Sequence, residues 1–173
     1  MAKEFISTDV LDIKVGDIYY ANRGYNMCSP RFYKVTKITD KMVEFEGIAE
    51  MFVHYRRTEL KYGSNSPEYY VIPAETFNLL PVRKVGLMDD EILDLKTEGG
   101  TPMECYFKAE DGRTRVFPSF RDSFKSKVRC WTRDSWENGV REKVKEYYMK
   151  EAGTYGGLLY KYKPGTAING YCD

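Results

Sequence analysis

Ser123-Phe124-Lys125-Ser126-Lys127-Val128-Arg129-Cys130-Trp131 and, three residues on, Asp134-Ser135-Trp136-Glu137-Asn138-Gly139-Val140-Arg141-Glu142-Lys143-Val144 decide what kind of fold this chain has. The first run alternates. Phe124, Ser126, Val128 and Cys130 fall on one side, and Lys125, Lys127, Arg129 and Trp131 on the other, which is the period of a strand. The second run reads as a helix. Asp134-x-x-Glu137 matches a capping box, in which the two side chains satisfy free amides of the first turn. Val140, Val144, Tyr147, Tyr148 and Ala152 recur at helical spacing, and Gly153 supplies a C-cap. Gly139 weakens such a helix by about 1 kcal/mol relative to alanine. The expectation is therefore an α+β fold, mostly antiparallel β, with one long helix at about 135–152.

Upstream, the chain reads as short strands. Gly16-Asp17 is turn chemistry and runs into the β-rich stretch Ile18–Ala21. Arg31–Ile38 and Met42–Ile48 flank Thr39-Asp40-Lys41, and Val43 and Phe45 alternate with glutamates, so a hairpin with one wet face is expected. Met51–Arg57 is a further strand candidate. Tyr69–Ile72 and Phe77–Val85 look extended, with Pro73 and Pro81 favouring edges or breaks. Met88–Lys96 fits a short helix with Asp89 as N-cap. Thr97-Glu98-Gly99-Gly100-Thr101-Pro102 is the best break. It divides a β-rich part, 1–97, from a hairpin-plus-helix part, 103–173, unless the whole forms one compact domain. Asp111-Gly112 between alternating runs marks another hairpin. The Gly/Tyr-rich tail from Thr154 is either a terminal hairpin or an arm.

Composition narrows the function classes. The 173 residues are 42% hydrophobic and 31% charged, which suits a globular chain. No apolar run is long enough for a membrane-spanning helix, and the opening ten residues lack a signal-like apolar core, so a cytoplasmic protein is expected. Cys28, Cys105, Cys130 and Cys172 form no C-x-x-C pair, which argues for reduced thiols rather than a zinc site. His54 is the only histidine. It sits in an alternating run and reads as a strand residue rather than a catalytic base. Asp90 and Asp94 would share one face of a helix and could hold Mg²⁺, but acidic residues near a helix N-terminus are also favoured with no metal. Phosphate loops, nucleophile elbows and zinc-protease motifs are absent. No cofactor or metal is expected, and an enzyme is less favoured than a binding protein because the commonest general base is nearly missing.

The charges are unevenly placed. Residues 1–112 hold 14 basic and 19 acidic groups, whereas 113–173 hold 13 and 7. Arg113, Arg115, Arg121, Lys125, Lys127, Arg129 and Arg133 stand against Asp122 alone in 113–133. Cations sharing a face with Trp131 suit either a phosphate backbone with stacked bases or an acidic protein surface. Lysines on a strand face also serve simply to discourage edge pairing. Tyr160, Lys161, Tyr162 and Lys163 continue the aromatic-cationic theme and complete the candidate partner-binding set.

Val15-Gly16-Asp17-Ile18-x-Tyr20, Gly24-Tyr25-Asn26, Phe32-Tyr33-x-Val35-x-Lys37-Ile38 and the Glu46-Gly47-Ile48 end resemble a recurrent opening in small uncharacterised proteins of phages and other mobile elements. In those relatives a tryptophan usually precedes the glycine-tyrosine pair, where this chain has Arg23. The Gly-Asp start followed by short strands is also similar to SH3-like barrels, which implies a small barrel or curved sheet N-terminally. These resemblances imply a protein acting in the cytoplasm of a bacterial host cell. They point to a non-enzymatic binder of a host protein or ribonucleoprotein, for example an anti-CRISPR-like inhibitor of a defence nuclease. The alternatives are a direct DNA- or RNA-binding module, and a virion structural or assembly protein that forms a homo-oligomer through the tail.

Overall fold

The computed structural model describes residues 4–5, 12–22, 30–55, 69–85, 90–97, 100, 102–108, 116–117, 123–137, 139–150 and 158–169. In chain order the strands are β1 (Glu4–Phe5), β2 (Ile18–Asn22), β3 (Pro30–Ile38), β4 (Met42–Ile48), β5 (Glu50–Tyr55) and β6 (Tyr69–Pro73). After a 3-10 turn at Ala74–Leu79 come β7 (Val82–Val85), β8 (Asp90–Thr97), β9 (Pro102–Lys108), β10 (Val116–Phe117), β11 (Ser123–Glu137), β12 (Val140–Met149), β13 (Tyr160–Lys161) and β14 (Thr166–Asn169).

The strands form two curled sheets. In the first, the order is β1-β11-β4-β3-β2-β13, with β12 on the other side of β11. Leu158 bridges to Lys150 at the end of β12, and Tyr160 and Lys161 pair with Tyr20 and Tyr19, so the run 158–161 ties β12 back to β2. In the second, the pairings β5–β6, β6–β14, β14–β8, β8–β9 and β9–β5 make a closed hydrogen-bonding circuit, with β10 and β7 added outside it. Curling lets each sheet bury one face against itself, which a flat sheet of this size cannot do.

Alternation explains the cores. Tyr19, Ala21, Tyr33, Val35, Val43, Phe45, Val128 and Met149 point into the first curl. There Phe124 stacks on Phe45 at 5.1 Å and meets Tyr33 edge-on at 4.9 Å. Met51, Val53, Ile72, Leu93, Leu95, Cys105 and Ala167 fill the second. On β3 the neighbours Phe32 and Tyr33 are both buried, as are Val71 and Ile72 on β6. In each pair the second residue faces its own sheet's core. The first faces the junction, where Phe32, Ile48, Val71, Tyr162 and Ile168 form a third cluster that welds the two sheets together.

The long helix expected at 135–152 is overturned: the described residues from Ser135 to Met149 are the end of β11 and all of β12. Glu137 pairs with Val140 across a two-residue loop, and the register continues without a slip to Val128↔Met149. Gly139 takes φ +75, the left-handed conformation that an Asn-Gly hairpin loop demands of its glycine. The helical reading failed because Val140, Val144 and Tyr148 are four apart, a spacing common to one helix face and one strand face. The short helix expected at Met88–Lys96 is likewise a strand from Asp90 on, β8, paired on both sides by β7 and β9, while Met88 and the expected N-cap Asp89 lie outside the described residues. The break at Thr97–Pro102 falls within the β8–β9 hairpin. The curved sheet expected of the N-terminal part alone is built from both ends of the chain, since β2–β4 share the first sheet with β11–β13 and β14 completes the second. The Asp111-Gly112 hairpin lies outside the described residues.

Candidate partner-binding ribbon

β11 is fifteen residues long, and its neighbours change along its length. Ser123–Lys127 pair with β4, Arg129 and Cys130 pair with β1, and Val128–Glu137 pair with β12. Beyond Cys130, among the described residues, β12 is the sole partner. From Trp131 to Glu146 the molecule is thus a two-stranded ribbon, extending roughly 23 Å at the usual rise per residue. No described residue of this ribbon is buried. It has no core of its own, and it leaves Trp136 68% and Val140 58% exposed near its tip.

The ribbon's two faces differ in charge. Directly opposite residues share a face. Thr132, Asp134 and Trp136 therefore lie with Arg141, Lys143, Lys145 and Tyr147, continuing the face that carries the buried Val128 and Cys130 at the base. That face has three cations to one acid. The other face carries Arg133 against Glu137, Glu142 and Glu146, beside Trp131, Val140, Val144 and Tyr148. Arg141 Nη2 donates to Asp134 Oδ2 at 2.6 Å, a diagonal pair across the strands. Lys143 and Lys145 are exposed and make no ion pair with any described residue.

The cationic set expected from sequence is divided, and three of its described members, Lys125, Arg133 and Lys161, are matched by acids. Lys125, Lys127, Arg129, Trp131 and Arg133 do share one face of β11. Lys125 Nζ lies 3.1 Å from Glu44 Oε1 on the neighbouring β4. Lys127 is exposed and Arg129 half-buried. Trp131 Nε1 donates to Glu146 Oε2 at 2.8 Å, and its ring packs against Tyr148 with centroids 4.9 Å apart. Arg133 Nε donates to the other oxygen of Glu146. The Trp131 hydrogen bond, then Arg133, hold the Glu146 carboxyl below its usual range. Opposite charges one strand apart stabilise the sheet locally and cancel the field the cations would otherwise project.

Tyr160, Lys161, Tyr162 and Lys163 belong to the strand at the far end of the first sheet's order and its continuation. Tyr160 is 54% exposed and lies 5.8 Å from Tyr20. Lys161 Nζ lies 3.4 Å from Asp17 Oδ2 and donates to the Asp12 carbonyl. Lys163 is exposed. Tyr162 is no contact residue: it is buried edge-on to Phe32 at the junction of the sheets, and its hydroxyl donates to the Thr166 carbonyl at 2.6 Å. Burial pushes its pKa up to about 12. Arg113, Arg115 and Arg121 lie outside the described residues.

The other sequence candidates are placed as follows. Asp90 and Asp94 are four apart on a strand, not on a helix, so their backbones stand about 13 Å apart; Asp94 instead accepts from Arg83 Nη2 at 2.7 Å. Among the described residues no three His, Cys, Asp or Glu side chains gather as a metal site. Cys105 and Cys130 are free and buried, and burial raises the Cys105 thiol to about 12. His54 lies on β5 in register with Tyr69 and Tyr106. No described helix is long and apolar enough to cross a membrane.

Trp136 is the site residue that the helical reading hid. The signal that finds it is Asn138-Gly139: once those two residues are a hairpin loop, period-2 counting from Cys130 puts Trp136 on an uncovered face. Comparison of the chain with protein-family models, with curated proteins and with solved structures finds no match.

Proposed function

We propose that this is a non-catalytic binding protein that engages another protein through the projecting β11–β12 ribbon. The observation that carries this reading is Trp136, two-thirds exposed on a ribbon that no described residue covers. An exposed tryptophan adds little to the fold beyond its cross-strand contact with Arg141, whereas at an interface it is among the residues that contribute most to affinity. The resemblance of residues 15–48 to small phage and mobile-element proteins supports a setting in a bacterial host. There the partner is a host protein or ribonucleoprotein, and inhibition of a defence nuclease in the anti-CRISPR manner is one form of this role.

A protein partner is favoured over nucleic acid by the charge arrangement. The ribbon from Trp131 to Tyr147 carries four basic and four acidic side chains. Affinity for nucleic acid grows with the number of phosphates that unpaired cations neutralise. Lys125 and Arg133 are already engaged by Glu44 and Glu146.

The test is capture from a nuclease-treated bacterial lysate by the full chain and by a Trp136→Ala/Val140→Ser variant. The reading expects a protein retained by the parent and lost by the variant, with the same melting temperature for both. Equal retention by the variant overturns the ribbon's role. Retention only without nuclease treatment replaces the protein partner with nucleic acid.

A further inference from the structure

Resting on the reading of the ribbon as the binding element, we infer that the outer edge of β12 docks an extended segment of a different protein, one with acidic residues at every second position. Among the described residues no strand pairs with β12 opposite β11 between Val140 and Tyr147; the first backbone contact on that side is the Leu159 N–H donating to the Met149 carbonyl at 3.0 Å, beside the bridge from Lys150 to Leu158. This edge therefore presents backbone N–H and C=O groups able to accept one more strand.

The side chains specify that strand. An added strand sets its residues directly opposite those of β12, alternately on the two faces. On the face of Trp136 its residues would stand against Arg141, Lys143 and Lys145, of which the two lysines make no ion pair with any described residue. Acidic side chains there complete opposite-charge cross-strand pairs. On the other face its residues would meet Val140, Glu142, Val144 and Glu146, which suits uncharged or basic ones.

A second copy of this chain does not meet the specification. Two-fold antiparallel pairing of β12 with itself places residue i opposite its mirror about a central residue. Centred on Lys143 it sets that lysine against itself and Arg141 against Lys145. Centred on Val144 it sets Lys143 against Lys145 and Glu142 against Glu146. Centred on Lys145 it again sets a lysine against itself. Like charges directly opposite destabilise a sheet, so the edge is guarded against self-association yet open to a complementary strand. A nucleic-acid strand is also a poor match. It has no amide ladder, and the acidic face a ribbon's thickness away cancels the attraction over a Debye length of about 8–10 Å.

The experiment uses the full chain and a labelled nine-residue peptide alternating glutamate with threonine, followed by fluorescence anisotropy. Binding is expected, weakened about tenfold or more by Lys143→Glu/Lys145→Glu, a variant that should instead prefer the lysine-threonine peptide. Both lysines are exposed, and an unchanged circular dichroism spectrum and melting temperature confirm that the variant is folded. A peptide of the same composition with its glutamates contiguous, and one N-methylated at alternate amides, should both bind at least about tenfold more weakly. Equal binding of either control overturns the edge-pairing mode, because bulk charge then suffices. Tighter binding of a thymidine oligonucleotide than of the alternating peptide overturns the choice of polypeptide. If the alternating peptide fails to bind while ribbon-dependent capture of a protein from nuclease-treated lysate persists, this inference falls and the proposed function stands. If both fail, both fall.

Discussion

Trp131 on β11 and Glu146 on β12 are directly opposite in register, and the indole Nε1–H donates to Glu146 Oε2 at 2.8 Å. The contact sits where the ribbon leaves the body, at the first pair beyond the β1 contact of Cys130, so it fixes the register at the base of the ribbon. It also holds the Glu146 carboxyl below its usual range, with Arg133 adding to the effect. The sign follows from linkage. A carboxyl whose folded pKa is depressed contributes stability above its unfolded pKa, and that contribution is lost as pH falls through the folded value. We expect the Trp131 indole resonance in a ¹⁵N–¹H spectrum to move on acidification with a midpoint below 4.5, the ordinary glutamate value. Trp136 should not follow it. A shared midpoint, or one above 4.5, would contradict the assignment.

Tyr19 and Tyr162 are expected to titrate late. Burial raises both phenols from 10.0 to about 12, and nearby Asp17 and Asp12 push Tyr19 in the same direction. Because the folded state holds the neutral form, stability is full below pH 10 and declines as pH rises through the interval to 12. Absorbance at the phenolate band, followed against pH, should show these two ionising only as the pH approaches about 12. Their ionisation should coincide with loss of the folded spectrum. Tyr162 welds the sheets at their junction, so Tyr162→Phe, which removes the hydroxyl that bonds the Thr166 carbonyl and the Thr76 side chain, should cost about 1 kcal/mol or somewhat more in denaturant unfolding.

Much of the sheet was legible. Residues 31–48 declare themselves because period-2 alternation there has a turn, Thr39-Asp40-Lys41, at a place that only a hairpin uses. The ribbon was not legible by the same rule, for two physical reasons. Its apolar residues fall four apart, and its polar ones are Glu, Lys and Arg, all good helix formers. Tertiary pairing to β11 decided between two readings that local sequence leaves nearly balanced. The partition of the chain was hidden for another reason. Which strands pair depends on contacts between residues far apart in sequence, such as Tyr160 with Tyr20 and Thr166 with Lys96, and no composition shift marks these. The cations were found, but not the acids that answer them, because Glu44 and Glu146 reach Lys125 and Arg133 only through strand order and register.

A pair of aromatic truncations separates folding from binding. Phe45 is wholly buried, stacked on Phe124 and edge-on to Tyr19, and its loss leaves a cavity in the first core. Phe45→Ala should cost about 3–5 kcal/mol. Trp136→Ala removes a larger ring from the exposed ribbon and should change stability by no more than about 0.5 kcal/mol. Urea unfolding of the two variants measures both. A comparable loss for Trp136→Ala would mean that the ribbon folds back on the body and is not a free surface.

Gly139 offers a test in which hairpin and helix predict opposite signs. In a helix, Gly139→Ala should stabilise residues 135–152 by about 1 kcal/mol. In the hairpin the residue stands at φ +75 with nothing within 4 Å of an added Cβ, so the cost of alanine is backbone strain alone. That strain is about 1–2 kcal/mol. Because no described residue of the ribbon is buried, the loss should be local. Amide exchange should quicken in Thr132–Glu146 while the core strands β3 and β4 keep their protection and the melting temperature holds. Gly139→Val should do more, since a β-branched side chain tolerates positive φ worse. Slower exchange across 140–148 in the alanine variant would restore the helix and remove the ribbon on which the binding surface is built.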